Sequence, residues 1–277
     1  MTPDPESIAG LDIAPEDLEE LFRNEPDAEH VAEVAATFKN TIGDRDIRPD
    51  LPEAPDPFFY AHVCLALLPA VRAYHRERGV PDPISWASLA ALGNNLARHR
   101  RIYGAGGLDG PQWAVRVFRG LVFRIERLVF ERTRLGPEVA EATGANENDD
   151  ALGIHIPPGG PLDPAGCDAA FTAAVEFFTR HFPEDRLGRA HCRSWLLDPQ
   201  LAEYLPPTSN LARFAGRFQL VPAGYTDDRS IVRWVFEVAD PSDLDALEPV
   251  TTLERAIVEH LRAGRHWRIE LGRLDLR

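Results

Sequence analysis

Residues 151–218 constrain the fold more than any other part of the chain. Leu152, Gly153, Ile154, His155 and Ile156 read as a strand, and Pro157-Pro158-Gly159-Gly160-Pro161 as the turn that ends it. A helix is expected over 164–182, with Asp163 as its N-cap and Pro164 in the first helical position. Cys167, Phe171, Ala174, Val175, Phe178 and Phe182 make its apolar face, and Pro183 stops it. A second strand over 190–197 and a shorter helix over 209–216 complete the unit. Two strands joined through a helix run parallel and leave a crevice at their C-terminal ends. A glycine-bearing loop at a helix start is a candidate anion site, because free amides and the helix dipole favour negative charge.

The chain ahead of this unit changes character twice. Residues 1–57 are acidic and proline-rich, with short amphipathic helices expected near 15–22 and 28–38. An apolar helix follows over 58–78, bent at Pro69 and stopped at Gly79. Another is expected over 85–103 with Ser85 as N-cap, before four glycines in 104–110. Trp113, Val115 and Val117 alternate with Ala114, Arg116 and Phe118, which predicts a strand. Further strands are expected over 121–134 with a turn at Glu126-Arg127. Residues 136–150 read as an acidic surface loop and the softest boundary in the chain. After the central unit, strands are expected over 217–221 and 230–238. A capped helix over 252–263 follows, opened by Thr251 and Glu254 and closed by Gly264, and then a strand over 266–276.

The pattern is α+β: a helical N-terminal part, then one mixed sheet with helices packed on it. The domain reading places an acidic, partly helical segment at 1–57 and helices followed by strands at 58–135. A linker at 136–150 and a sheet domain at 151–277 follow.

Charge narrows the partners. The net charge of −14 excludes a phosphate-backbone binder, which needs a basic footprint. It is unevenly spread, with 16 acidic against 4 basic side chains in residues 1–60 and 5 against 12 in residues 61–135. Arg98, His99, Arg100 and Arg101 form a basic cluster, read as a solvated face pairing with the acidic N-terminus. His75, followed by Arg76 and Glu77, reads as a solvated helix end. Cys64, Cys167 and Cys192 have no ligand spacing, so neither a disulfide framework nor a metal site is expected. With no apolar leader or membrane-length run, a cytoplasmic location is expected.

Several stretches carry a family resemblance: LGIHIP (152–157), FFTRHFPE (177–184), SWLLDPQLAEYLP (194–206), SNLARF (209–214), LRAGRHW (261–267) and, more weakly, AYHRERGVPD (73–82). Over roughly residues 58–276 the chain resembles bacterial two-domain N-acyltransferases with a helical N-terminal domain and a GNAT-like C-terminal domain. The resemblance implies transfer of an acyl group from acetyl-CoA or another acyl-CoA to a small amine, with no metal. It also carries two departures. The loop 157–161 has no Arg or Gln lead and its prolines remove donors, and Arg193 stands where the family often has His.

Site candidates follow from residues and resemblance together. His155, mid-strand and of the residue type suited to moving protons, is the candidate base or relay. Gly159 and Gly160 are the candidate phosphate loop. The resemblance implies Tyr204 as the acid facing the thioester sulfur, and Asn210 as a donor to the pantetheine arm. Ser194 is expected to line the crevice with them. For each, a structural role stands beside the functional one: a bonded core-edge Tyr or His, a plain turn, a helix cap. A non-catalytic binding protein that kept the fold is the alternative reading of the whole.

Overall fold

The computed structural model of the chain describes residues 8–276; the first seven residues of the acidic segment and Arg277 lie outside the described residues. The chain divides into two compact units, residues 1–125 and 126–277. The division therefore falls ahead of the 136–150 segment.

The first unit is helical: α1 (Pro15–Arg23), α2 (Ala28–Lys39), α3 (Phe59–Glu77), α4 (Asp82–Leu89), α5 (Ala91–Tyr103) and α6 (Pro111–Phe118), ending in β1 (Val122–Ile125). Pro69 lies inside α3 without ending it. The helix expected over 85–103 is two helices broken at Ala90, and Ser85 is not a cap but a buried residue within α4. Trp113 to Phe118 is a helix rather than a strand. Ala114, Val115, Val117 and Phe118 are all buried, a spacing that suits both periods. Pro111 at the first position, after Gly110 at φ 62°, decides for the helix. The basic cluster does pair with the acidic N-terminus, as Arg100 bonds Asp17 at 2.6 Å and Glu20 at 2.5 Å.

His75 is the clearest correction in this unit: it is fully buried, not solvated. Its Nδ1 lies 2.7 Å from Ser85 Oγ, and Arg72 bonds the same hydroxyl. Burial, helped by the Arg72 charge, pushes its pKa down to about 4.

The second unit holds β2 (Leu128–Arg134), α7 (Pro137–Thr143), β3 (Asp150–His155), α8 (Pro164–His181), β4 (Arg189–Ser194) and α9 (Asn210–Ala215). It ends with β5 (Gln219–Thr226), α10 (Asp228–Phe236), α11 (Thr252–Arg262) and β6 (Arg268–Asp275). The sheet is mixed and six-stranded, in the order β1-β2-β3-β4-β6-β5. Glu126, at φ 50°, makes the tight turn before β2. Two expectations fail here. Residues 137–143 form α7 rather than loop, and the strand expected over 230–238 is α10. Asp227 caps α10 by accepting from Ser230 N at 3.0 Å, and Ile231, Val232, Val235 and Phe236 recur at helical spacing toward the core.

Each sheet face has its own cover. Phe130 meets Phe171 and Phe178 of α8 edge-on, with centroids 6.1 and 6.4 Å apart. Arg132 and Asp185 close that layer with a buried two-toothed pair at 2.6 and 2.9 Å. Trp267 and Ile269 pack with Ile231, Val232, Ile257 and Val258 of α10 and α11. The Thr251–Glu254 capping box is present and fixes the start of α11; such a cap stabilises by about 1 kcal/mol.

Candidate active site

The site follows from strand register. Glu131, Gly153, His191 and Arg273 sit in one row across β2, β3, β4 and β6. Residues paired in a row share a sheet face, and side chains two positions along a strand join it. His155 and Arg193 therefore lie on that face too. Gly153 puts no side chain in the row, and His155 reaches across to Glu131, Nε2 to Oε2 at 3.0 Å. A Cβ on Gly153 would touch both groups, 3.4 Å from His155 Nε2 and 3.6 Å from Glu131 Oε2. An ionised Glu131 can only accept, so His155 donates to it through Nε2.

His191 is the residue that sequence reasoning missed. Its Nδ1 is buried and has no hydrogen-bond partner among the described residues. Burial, with the nearby His155, pushes its pKa down to about 4 against the opposing pull of Glu131. At neutral pH it is a neutral imidazole whose Nδ1 can accept a hydrogen bond. Arg193 beside it is committed elsewhere, donating to Ala223 O at 2.8 Å and to Glu138 at 3.2 Å. It thereby holds the irregular stretch of β5 between Val221 and Tyr225 and one end of α7.

β3 and β4 pair in parallel only at Leu152↔Ala190 and Gly153↔His191. β3 continues to His155 and β4 to Ser194, so past His191 the two strands no longer pair with each other, though β2 and β6 still pair with their outer edges. Backbone groups left without a ladder partner there are ready to bond a ligand.

The loop after β3 wraps round a cation. Arg127 donates to Pro161 O, Pro157 O and Gly160 O at 2.9, 3.1 and 2.8 Å. Gly159 and Gly160 turn the chain at φ 82° and 70° and are exposed. Asp163 then caps α8 through Gly166 N at 2.8 Å.

The remaining candidates sit in structural bonds. The Tyr204 hydroxyl is 2.9 Å from His260 Nδ1. His260 is buried, stacks on Trp267 with centroids 4.0 Å apart, and faces His266 O through Nε2 at 3.4 Å. That carbonyl can only accept, so Nε2 holds the proton and Tyr204 donates to Nδ1. Ser194 Oγ accepts from Leu196 N at 3.1 Å and opens a short 3-10 turn. Ser209 caps α9, which places Asn210 in its first turn. The structure thus brings His155 together with Glu131 beside His191, and Gly159 and Gly160 with Arg127. It pairs Tyr204 with His260 instead. No sequence signal ties Glu131, Arg127 or His260 to these partners, and none singles out His191, which shares a strand face with Arg193 two positions on.

Among the described residues no cluster of His, Cys, Asp and Glu is placed to hold a metal, and no helix is long and apolar enough to cross a membrane. No curated protein matches the chain. Solved structures do. An acyltransferase in complex with decanoyl-CoA aligns with 100% of this chain and 90% of its own, at 33% identity and TM-score 0.89. A single-site variant of an acyltransferase in complex with octanoyl-CoA does so over the same shares at 33% identity and TM-score 0.87. An acyltransferase with decanoyl-CoA and teicoplanin gives 34% identity and TM-score 0.87. Residues 5–120 match the N-acyltransferase N-terminal domain, and residues 122–274 match the GNAT-like C-terminal domain. With both halves accounted for, the chain belongs to the two-domain N-acyltransferases, a helical N-terminal domain followed by a GNAT-like C-terminal domain.

Proposed function

We propose that this chain transfers a medium-length acyl group from acyl-CoA to the amine of a small acceptor, in the gap where β3 and β4 part. The observation that carries the reading is the buried, unpartnered His191 Nδ1 at the point where strand pairing stops. The donor length is drawn from the solved relatives, which hold octanoyl- and decanoyl-CoA. Three buried free cysteines support a reducing cytoplasm as the setting.

The chemistry runs as follows. The amine nitrogen attacks the thioester carbon and its carbonyl oxygen becomes an oxyanion, held by backbone N–H groups freed on the strand edges. His191, or His155 with Glu131 behind it, takes the proton lost by the nitrogen. The C–S bond breaks, the amide forms, and the CoA thiolate takes a proton. Tyr204 serves as that acid once its hydroxyl turns from His260 toward the sulfur. Ser194 and Asn210 border the pantetheine path, and Gly159 and Gly160 the phosphate end.

The test is thermal stability with CoA, acetyl-CoA, octanoyl-CoA and decanoyl-CoA, followed by turnover with a small primary amine. Ligand at 100 times its dissociation constant stabilises by about 2.7 kcal/mol. The larger shift is expected with the octanoyl and decanoyl thioesters; no shift with any of the four sinks the proposal. Tyr204→Phe is expected to lower kcat by about 10–1000-fold with acyl-CoA affinity kept. His191→Asn should lower kcat over the same range, whereas unchanged turnover in both variants would move the chemistry elsewhere.

A further inference from the structure

Arg193 is one of the two places where this sequence departs from its family, which often has His there. The fold puts it on the wall of the gap between β3 and β4. Gly153 of β3 pairs with His191 of β4, and pairing between the two strands stops there. Two positions on, His155 and Arg193 stand on the same sheet face, one on each strand. The Arg193 charge reaches His191, where it adds to burial and to His155 in disfavouring the protonated ring. A guanidinium stays protonated, so it moves no proton here. Its chemistry is the binding of an anion, best of all a carboxylate.

The surroundings of Arg193 leave one edge of it within reach of solvent. Nη1 is tied to the backbone, donating to Ala223 O at 2.8 Å in the irregular stretch of β5. Nη2 faces Glu138 Oε2 of α7 at 3.2 Å, and Cζ lies 5.7 Å from the centre of the exposed Tyr225 ring. The Glu138 side chain is 65% exposed and that of Arg193 is 27% exposed. A pair this open contributes little to stability, so another carboxylate can take the place of Glu138 at small cost. Glu138 marks where the carboxylate of a ligand would stand.

The rest of this sheet face favours an anion at that point. Arg273, in the row of His191, donates to Gln219 Oε1 at 2.8 Å and to Thr143 O at 3.0 Å, both neutral acceptors. Glu131 is turned to His155. Positions two apart along a strand are separated by about 6.6 Å. A short carbon chain between an amine and a carboxylate covers that span, so an amine held beside His191 can carry a carboxylate to Arg193.

We propose that Arg193 is a specificity-determining residue for the acceptor: it binds a carboxylate carried by the amine substrate, in the place that Glu138 takes in the free protein. The acceptor is then a small amino acid rather than a plain amine. The proposal rests on the acyl-transfer reading above and names the acceptor class.

The experiment uses octanoyl-CoA as donor and two acceptors of equal length, 4-aminobutanoate and its carboxamide. The quantity read is the ratio of kcat/KM for the acid to that for the amide. In the wild type the acid is expected to lead by about 10–100-fold, the discrimination a charge-assisted contact supplies. Arg193→Gln should bring the ratio to about 1, mainly through KM for the acid. Arg193→Lys keeps the charge without the planar fork and should recover part of it. Glu138→Gln removes the competing carboxylate and should raise the ratio about 2–5-fold. The opposite signs of the two charge-removing variants are the signature. If Arg193 and Glu138 served only to hold α7 and β5, both variants would weaken both acceptors alike and leave the ratio unchanged, which overturns the proposal. A fall of the ratio in Glu138→Gln overturns it too. If the wild type acylates the amide as well as the acid, acyl transfer stands and this assignment alone falls. If it acylates neither of them nor a plain primary amine, the acyl-transfer reading has failed and takes this assignment with it.

Discussion

Two arginines do the same job in the two units, each clasping a loop through its carbonyls, but one is buried and the other half-buried. Arg119, in the first unit, donates from Nε to Thr41 Oγ1 at 2.8 Å and from Nη2 to the carbonyls of Thr41, Asp44 and Ile47 at 3.1, 2.6 and 2.9 Å. Its own carbonyl accepts from Gly43 N at 2.7 Å. Gly43 sits at φ 76°, and a Cβ there would lie 2.5 Å from the Tyr74 ring, so the loop packs tightly against Tyr74. Arg119 is 3% exposed. Arg127 clasps its loop with the same kind of bonds but is only half-buried, and its glycines face outward. Burial turns the first cation into a fastener of the fold. The second, half-buried, holds a loop that faces solvent.

The largest expected effect is on Arg119. Arg119→Ala leaves three carbonyls facing a hole and should destabilise the first unit by about 3–5 kcal/mol. The midpoint of urea unfolding checks it, and a loss under about 1 kcal/mol would erase the contrast between the clasps.

Next in size is a pH effect that also spans both units. His75 in the first and His191 in the second are each held near a pKa of about 4, below the ordinary 6.5. As pH falls through 6.5 toward 4, the unfolded chain binds protons that the folded chain refuses. Stability is therefore complete above about 6.5 and is lost on acidification. The loss is at most about 3 kcal/mol for each histidine. Unfolding followed at pH 7, 5.5 and 4.5 should show it, and His75→Gln should flatten the acid limb for the first unit only. A wild-type profile that is level across that range would mean both rings are charged in the fold.

The smallest effect is the other half of the comparison. Arg127→Ala should cost under about 1 kcal/mol of stability, because water replaces its bonds at the surface. Calorimetry or denaturant unfolding would show it. A loss matching that of Arg119→Ala would make both clasps structural.

The sequence determined what neighbours within four positions decide. Asp163 as the cap of α8 and the Thr251–Glu254 box both formed as read. So did the turn at Glu126-Arg127 and the order of strand, loop, helix, strand and helix over 152–216. Short apolar runs were ambiguous, because the apolar spacing of 113–118 fits two periods; Pro111 after Gly110 starts a helix there, and the Asp227 cap starts one ahead of 230–236. Tertiary structure alone decided what lies further apart. His155 meets Glu131 across 24 positions, Arg127 reaches Gly160 across 33, and Tyr204 meets His260 across 56. Nothing in the spacing of His75 distinguishes a solvated helix end from a ring buried against Ser85. The reason is physical. Caps and turns are made by side chains bonding the backbone beside them, so local sequence carries their energy. Register, burial and the parting of β3 from β4 depend on which strands become neighbours, and that is settled by the whole sheet at once.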